Sequence, residues 1–200
     1  MKVLVACEES QVVCKAFRER GHEAYSCDTQ ECSGGHPEWH IKDDVLKHLD
    51  DGWDLMIAHP PCTYLSRAGA RWLYKGGVIN NSRYVLGVKA KDFFMRLYEA
   101  NIKMIAIENP TPFKVFDLPK PSQAINPHDF GHEYSKRTLL WLKNLPPLLN
   151  TLIYPNHKPY MPSNTGGKKR GQKYHFTTIN SHDASRTFQG IAEAFATQWG

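Results

Sequence analysis

The sequence predicts an α/β fold: a single domain built on a mostly parallel sheet with crossover helices. Three observations predict it. Short apolar runs of strand length recur at 3–7, 23–27, 53–58 and 102–107, bounded by turn residues rather than continued as helices. The first two runs enclose a helical pattern, and strand–helix–strand order followed by further strands favours parallel pairing. Two runs also end at proline, in His59-Pro60-Pro61-Cys62 and in Glu108-Asn109-Pro110. Proline cannot extend a ladder, so each run is expected to turn there, at the sheet edge where such folds carry their chemistry.

Taken in order, 3–7 reads as a first buried strand. A helix over 10–20 follows, with Val12, Val13, Ala16 and Phe17 as its apolar stripe and Gly21 as its stop. The second strand, 23–27, closes at Asp28. Residues 29–40 form an irregular Gly/Pro-containing loop, and 45–49 a short helical turn. After Cys62, residues 63–82 are rich in Gly, Arg and aromatics; a connection of that length is usually a functional loop. A helix over 83–101 is anchored by Val88, Phe93, Phe94, Leu97 and Tyr98. The Pro-rich stretch 110–130 shows no convincing helix beyond a turn. A strand at 138–142 stops near Pro146-Pro147, residues 155–185 form a basic Gly-rich loop region, and 188–199 closes as a helix.

Two hundred residues fit one domain and bury roughly 70% of the unfolded surface, so disulfides are not needed. The five cysteines include no CxxC, which argues against an oxidised scaffold. The chain opens directly into a strand, with no leader-like segment. No apolar run approaches the about 20 residues of a membrane span. A cytoplasmic enzyme without a membrane partner is the expectation. The net charge of +5, partly from Lys168, Lys169, Arg170 and Lys173, mildly favours a polyanionic partner.

Several residues invite chemistry. Cys62 is a nucleophile if its thiol ionises, for which His59, Arg67 and Arg71 are near in sequence; the plainer alternative is a structural cysteine. Glu108 ends an apolar strand, where a carboxylate either meets a donor or has a raised pKa suited to proton transfer. Asp28 lies where Rossmann-like folds accept a ribose hydroxyl, and Asp43 or Asp44 could meet an adenine amine. Cys27, Cys32, His36 and His40 are zinc-ligand types at non-finger spacing, so packed or hydrogen-bonded side chains are expected there instead of a metal.

These pieces, as ordered blocks over residues 2 to about 142, resemble the cytosine-C5 DNA methyltransferase superfamily, in particular its short, phage-type members. The run from Asp54 to Cys62 looks like that family's Pro-Cys nucleophile block, and Ile105 to Asn109 like its Glu-Asn block. Tyr134 to Trp141 resembles its arginine-bearing strand, with Arg137. Residues 185–194 resemble the closing block that packs beside the cofactor region. The resemblance implies a Rossmann-like sheet of the class I methyltransferase type and S-adenosylmethionine as cofactor. It implies cofactor contacts from Cys7, Glu8, Glu9, Ser10, Asp28, Asp44 and Pro60.

The implied mechanism is covalent. Cys62 adds to C6 of cytosine, Glu108 neutralises charge at N3, Asn109 holds the Glu108 loop, and Arg137 orients the pyrimidine or a phosphate. In duplex DNA the base must flip, with the 63–82 active-site loop closing over it.

The sequence departs from the family in several places. The turn Cys7-Glu8-Glu9-Ser10-Gln11 lacks glycine. Thr63 stands in the position of a glutamine, and Ser135 in that of the first arginine. Only about 40 residues separate Trp141 from Arg186, where the family usually inserts a recognition domain. Sequence reading would then be weak, supplied by a separate specificity partner, or unnecessary because the substrate is a pyrimidine mononucleotide. A catalytically inactive DNA-binding protein on the same fold is the non-enzymatic alternative.

Overall fold

The computed structural model describes residues 1–67, 70–156 and 186–200. The basic stretch 168–173 and nearly all of the 155–185 region lie outside the described residues.

Seven strands form one sheet in the order β3-β2-β1-β4-β7-β9-β8. Its parallel part comprises β1 (Lys2–Ala6), β2 (Glu23–Asp28), β3 (His40–Lys42), β4 (Leu55–Ala58) and β7 (Met104–Pro110). The last two, β8 (Gln123–Ile125) and β9 (Thr138–Lys143), lie beyond β7; β9 runs antiparallel to both of its neighbours. Helix α1 (Val12–Arg18) links β1 to β2. Helix α3 (Asn81–Tyr98) precedes β7, and α4 (Gln189–Trp199) ends the chain. A short helix α2 (Ala70–Leu73) and a two-stranded hairpin, β5 (Tyr74–Lys75) with β6 (Val78–Ile79), occupy the segment between Cys62 and α3. This is the Rossmann-like, mostly parallel sheet that the sequence predicts.

Alternation along the strands divides the core into two layers. Val3, Val5, Leu55, Ile57, Ala106 and Leu140 face α1 and α4, meeting Val13, Phe17, Ile191 and Phe195. Leu4, Met56, Ile105, Ile107 and Trp141 face the other way, onto Phe94 and Leu97 of α3. The central strand β4 is fully buried along its length, which is why it reads as a continuous apolar run. Glycine is required at Gly87 of α3, because a Cβ there would stand 2.1 Å from the Phe116 ring.

Two expectations need correction, and one strand goes unanticipated. Strand β7 does not stop at Glu108: residues 108, 109 and 110 pair with Leu140, Leu139 and Thr138 of β9. The partnership with β4 ends at Ile107, so beyond it β7 has an open edge, where proline is tolerated. The Pro-rich stretch contains a strand, β8, which β9 pairs by its backbone. The 63–82 segment is not structureless, since it contains α2 and the hairpin.

Candidate active site

The site lies at the carboxyl ends of β1, β4 and β7. At the tip of β4 the chain keeps the sheet direction for one more residue, His59 donating its amide to Ala6 O at 2.9 Å. Pro60 and Pro61 then carry it out of the ladder. The Pro60 carbonyl accepts a 2.8 Å hydrogen bond from Asn109 Nδ2, and Asn109 is buried at 1% exposure. The Cys62 carbonyl accepts the amides of Leu65 and Ser66. Residues 65–67 then pair with 111–113, through Arg67 N to Thr111 O and Phe113 N to Leu65 O. Arg83 braces the other side, donating to Thr63 O at 2.9 Å and stacking over the Tyr64 ring. Cys62 is thus a half-buried thiol in a turn held from two directions.

Glu108 arrives from the neighbouring strand. Its Oε2 lies 2.9 Å from His59 Nδ1, with only 18% and 13% of the two side chains exposed. Burial would raise the Glu108 pKa, but the His59 hydrogen bond and charge, with Lys136 and Thr138, outweigh it and hold the carboxyl below its ordinary value. Burial likewise opposes charge on His59, yet Glu108 and then Glu8 raise its pKa on balance. Of the two readings open for Glu108, a carboxylate meeting a donor is the one the structure holds. His59, near the thiol in sequence, pairs with the acid.

Burial, and then Glu108, push the Cys62 thiol up, and Lys136 opposes them. Lys136 is a cation that bears on the thiol, and sequence reasoning passed it over in favour of Arg137. Arg137 donates from Nη1 to Thr111 Oγ1 at 3.0 Å on an exposed edge. Lys136 lies two residues before β9, outside the strand, so no strand pattern marks it. Lys136, Thr138 and Glu108 line one cleft, closed on its far side by Arg186, Thr187, Phe188 and Ile191. The side chain of Arg71 lies outside the described residues.

The turn after β1 holds the second group of candidates. Cys7 (φ 60°) and Gln11 (φ 58°) adopt the left-handed conformation without being glycine, and the Cys7 and Glu8 amides both donate to Cys27 O. The missing glycine has a counterpart across the turn. A Cβ on Gly34 would come within 2.4 Å of Gln11 Cβ and 2.6 Å of Ser10 O. Gln11, fully buried, fastens the 29–40 loop through its side-chain bonds to His36 N and O. Ser33 N donates to Glu9 O.

Glu8 turns inward: its two carboxylate oxygens accept the amides of Val13 and Cys14 at 2.7 and 3.1 Å. It caps the first turn of α1, where orphan donors and the helix dipole favour an anion. Glu9 faces Arg186, Nε to Oε1 at 3.9 Å, and Arg186 Nη2 donates to Ser33 Oγ. The closing block thereby returns to this turn.

Asp28 and Asp44 lie close enough to Cys7 that, after burial, both push its thiol up, together with Cys27. Cys7, Asp28 and Asp44, predicted separately, are one cluster. Asp28 Oδ1 accepts Gln30 N and Asp44 Oδ1 accepts Leu46 N, so each carboxylate is fixed by its own turn. The zinc-ligand types go to separate partners: Cys27 Sγ to Asp43 O, His40 to Ser26 and Gln30 O, and His36 onto Trp39 and Glu38.

No protein-family model matches this chain, and no curated protein matches it. A solved structure that is similar to it is a candidate DNA modification methyltransferase encoded within a prophage (E. coli), at 14% identity and a TM-score of 0.47. The match covers 76% of this chain and 51% of that one, so the chain spans about half the length of that structure. No described helix is long and apolar enough to cross a membrane.

Proposed function

We propose that this protein transfers a methyl group from S-adenosylmethionine to C5 of cytosine in DNA, through a covalent adduct between Cys62 and C6. One observation carries the reading. A nucleophile and a carboxylic acid stand on adjacent strand tips, and the Asn109–Pro60 bond ties one tip to the other. Cytosine C5 is a poor nucleophile, and a thiolate adding to C6 makes it enamine-like. The acid beside the thiol is placed to balance the charge this creates at N3. Lys136 favours the thiolate, against the burial and the Glu108 charge that oppose it.

The chemistry of the β1 turn fits the cofactor. Asp28 and Asp44 offer fixed acceptors for ribose hydroxyls and an amine, and the turn around Cys7 approaches them closely. Gly34 lets the 29–40 loop pack directly against Gln11 and the Ser10 carbonyl. S-adenosylmethionine, when bound, supplies the electrophilic methyl group. Glu8 acts through α1, and Glu9 with Arg186 closes the side of the site. The 63–82 segment, which follows Cys62 directly, is the element that meets DNA when the base flips.

The test is transfer of radiolabelled methyl from S-adenosylmethionine to duplex DNA, single-stranded DNA and dCMP in parallel, with Cys62→Ala as control. Label in DNA, absent with the variant, is the expected result. Label only in dCMP would replace the polymer with a free nucleotide, and full transfer by Cys62→Ala would remove the covalent mechanism.

A further inference from the structure

His59 is the buried titratable group that the reading above leaves without a task. It is held on three sides by charge from three elements. Glu108 of β7 is hydrogen-bonded to Nδ1 at 2.9 Å. Glu8, from the turn after β1, and Lys136, just before β9, bear on the same ring. Its Nε2 is buried with no hydrogen-bond partner among the described residues. A buried orphan nitrogen costs stability and calls for an explanation, of which a catalytic role is one. The Cys62 thiol, two residues beyond Pro60, senses Glu108 as well, so the acid, the imidazole and the nucleophile share one electrostatic environment.

We propose that His59 and Glu108 act as one proton-sharing unit, in which His59 stores on Nδ1 the proton that Glu108 delivers to N3 of cytosine and later takes back. The inference rests on the cytosine-C5 reading above. The Cys62 thiol first loses its proton to water. When its sulfur bonds to C6, the ring electron pair settles on N3. Glu108 takes the Nδ1 proton of His59, which becomes neutral, and passes it to N3, returning to the carboxylate. On elimination the S–C6 bond breaks and water accepts the C5 proton. The N3 proton returns through Glu108 to Nδ1. No group outside the site is needed for this exchange, and Glu108 never has to hold a proton at rest. The arrangement explains how a carboxylate that the site keeps ionised can still act as an acid.

Two measurements test it. Imidazole nitrogen NMR of the ligand-free protein reads the His59 titration directly. His59 should remain doubly protonated above the ordinary histidine value, and Glu108→Gln should lower its midpoint. The second is exchange of the cytosine C5 hydrogen for solvent deuterium in single-stranded DNA without methyl donor, which reports reversible addition at C6 alone. His59→Gln keeps a donor for Glu108 but cannot exchange a proton, and should slow exchange by about 10²-fold or more and remove the His59 limb from the pH profile. His59→Asn should behave alike. A merely structural His59 would be rescued by glutamine. Wild-type exchange with an equal rate and pH profile in His59→Gln overturns this inference alone, as does a His59 midpoint unmoved by Glu108→Gln. Absence of exchange in the wild type overturns the functional reading, and the proton delivery with it.

Discussion

Replacing Asn109 by Asp and by Ala separates two contributions at one atom. Asn109 Nδ2 donates to the Pro60 carbonyl at 2.8 Å, and the residue is 1% exposed. In Asn109→Ala that carbonyl loses a buried donor, a loss of about 1–3 kcal/mol with little dependence on pH. Asn109→Asp differs because a carboxylate oxygen would face the carbonyl oxygen, whereas the protonated acid can donate as the amide does. Deep burial raises a carboxyl pKa by roughly 3–5 units above its unfolded value near 3.9. The neighbouring Glu108 pushes in the same direction. A group with a raised folded pKa supports the folded state below the unfolded pKa and loses that support as pH climbs through the folded one. At about 1.4 kcal/mol per unit, Asn109→Asp should lose roughly 3 kcal/mol more at pH 8 than at pH 5, relative to wild type. That is a sizeable part of a total stability of about 5–15 kcal/mol. Urea unfolding at the two pH values reads it as a midpoint shift on the order of 1 M or more. Equal, pH-independent losses in the two variants would refute the argument that this side chain clamps the turn by donating. Turnover should fall in both variants even where they fold, because the clamped carbonyl precedes the nucleophile by two residues.

Gly34→Ala should lose about 1–3 kcal/mol in thermal or urea unfolding, since its Cβ would stand 2.4 Å from Gln11 Cβ; calorimetric titration should also show weaker S-adenosylmethionine binding as the loop is pushed from the turn. Lys136→Met should remove the charge that favours the Cys62 thiolate, so alkylation of Cys62, followed by mass spectrometry, should be several-fold slower at neutral pH and recover at higher pH. The sign follows from the thiol being pushed up by burial and Glu108: reaction needs the thiolate, and its fraction rises with pH. Glu8→Gln keeps one acceptor for two helix amides and should lower stability by about 1 kcal/mol, read as a drop in Tm.

The strands that the sequence makes plain are those whose residues are apolar on both faces, such as Leu55 to Ala58; burial on two sides leaves an unbroken run. Strand β8 is hidden because only Ile125 of its three residues is buried and its pairing comes from β9. The proposed pair of Cys62 and Glu108 was legible because proline lies close by in each run. The His59–Glu108 contact was not, since its partners are 49 residues apart and nothing local links them. Glu8 misled for a related reason. A carboxylate in a loop beside an expected ligand looks available, but the amides of Val13 and Cys14 lie nearer. Preference for arginine's planar fork favoured Arg137, whereas Lys136 lines the cleft from just before β9, where no periodic pattern marks it.

The docking of α4 on α1 has a consequence for how the molecule assembles. Phe195, Trp199 and Ile191 share a core with Val13 and Phe17, from segments about 180 residues apart in the chain. Closing so long an interval is slow, and until it happens the first strand–helix unit carries an uncovered apolar face. The same closure brings Arg186 to Glu9 and Ser33. Docking of α4 therefore completes the core and the site wall together, and a form with its sheet made but α4 undocked would lack the wall beside Glu108 and Lys136.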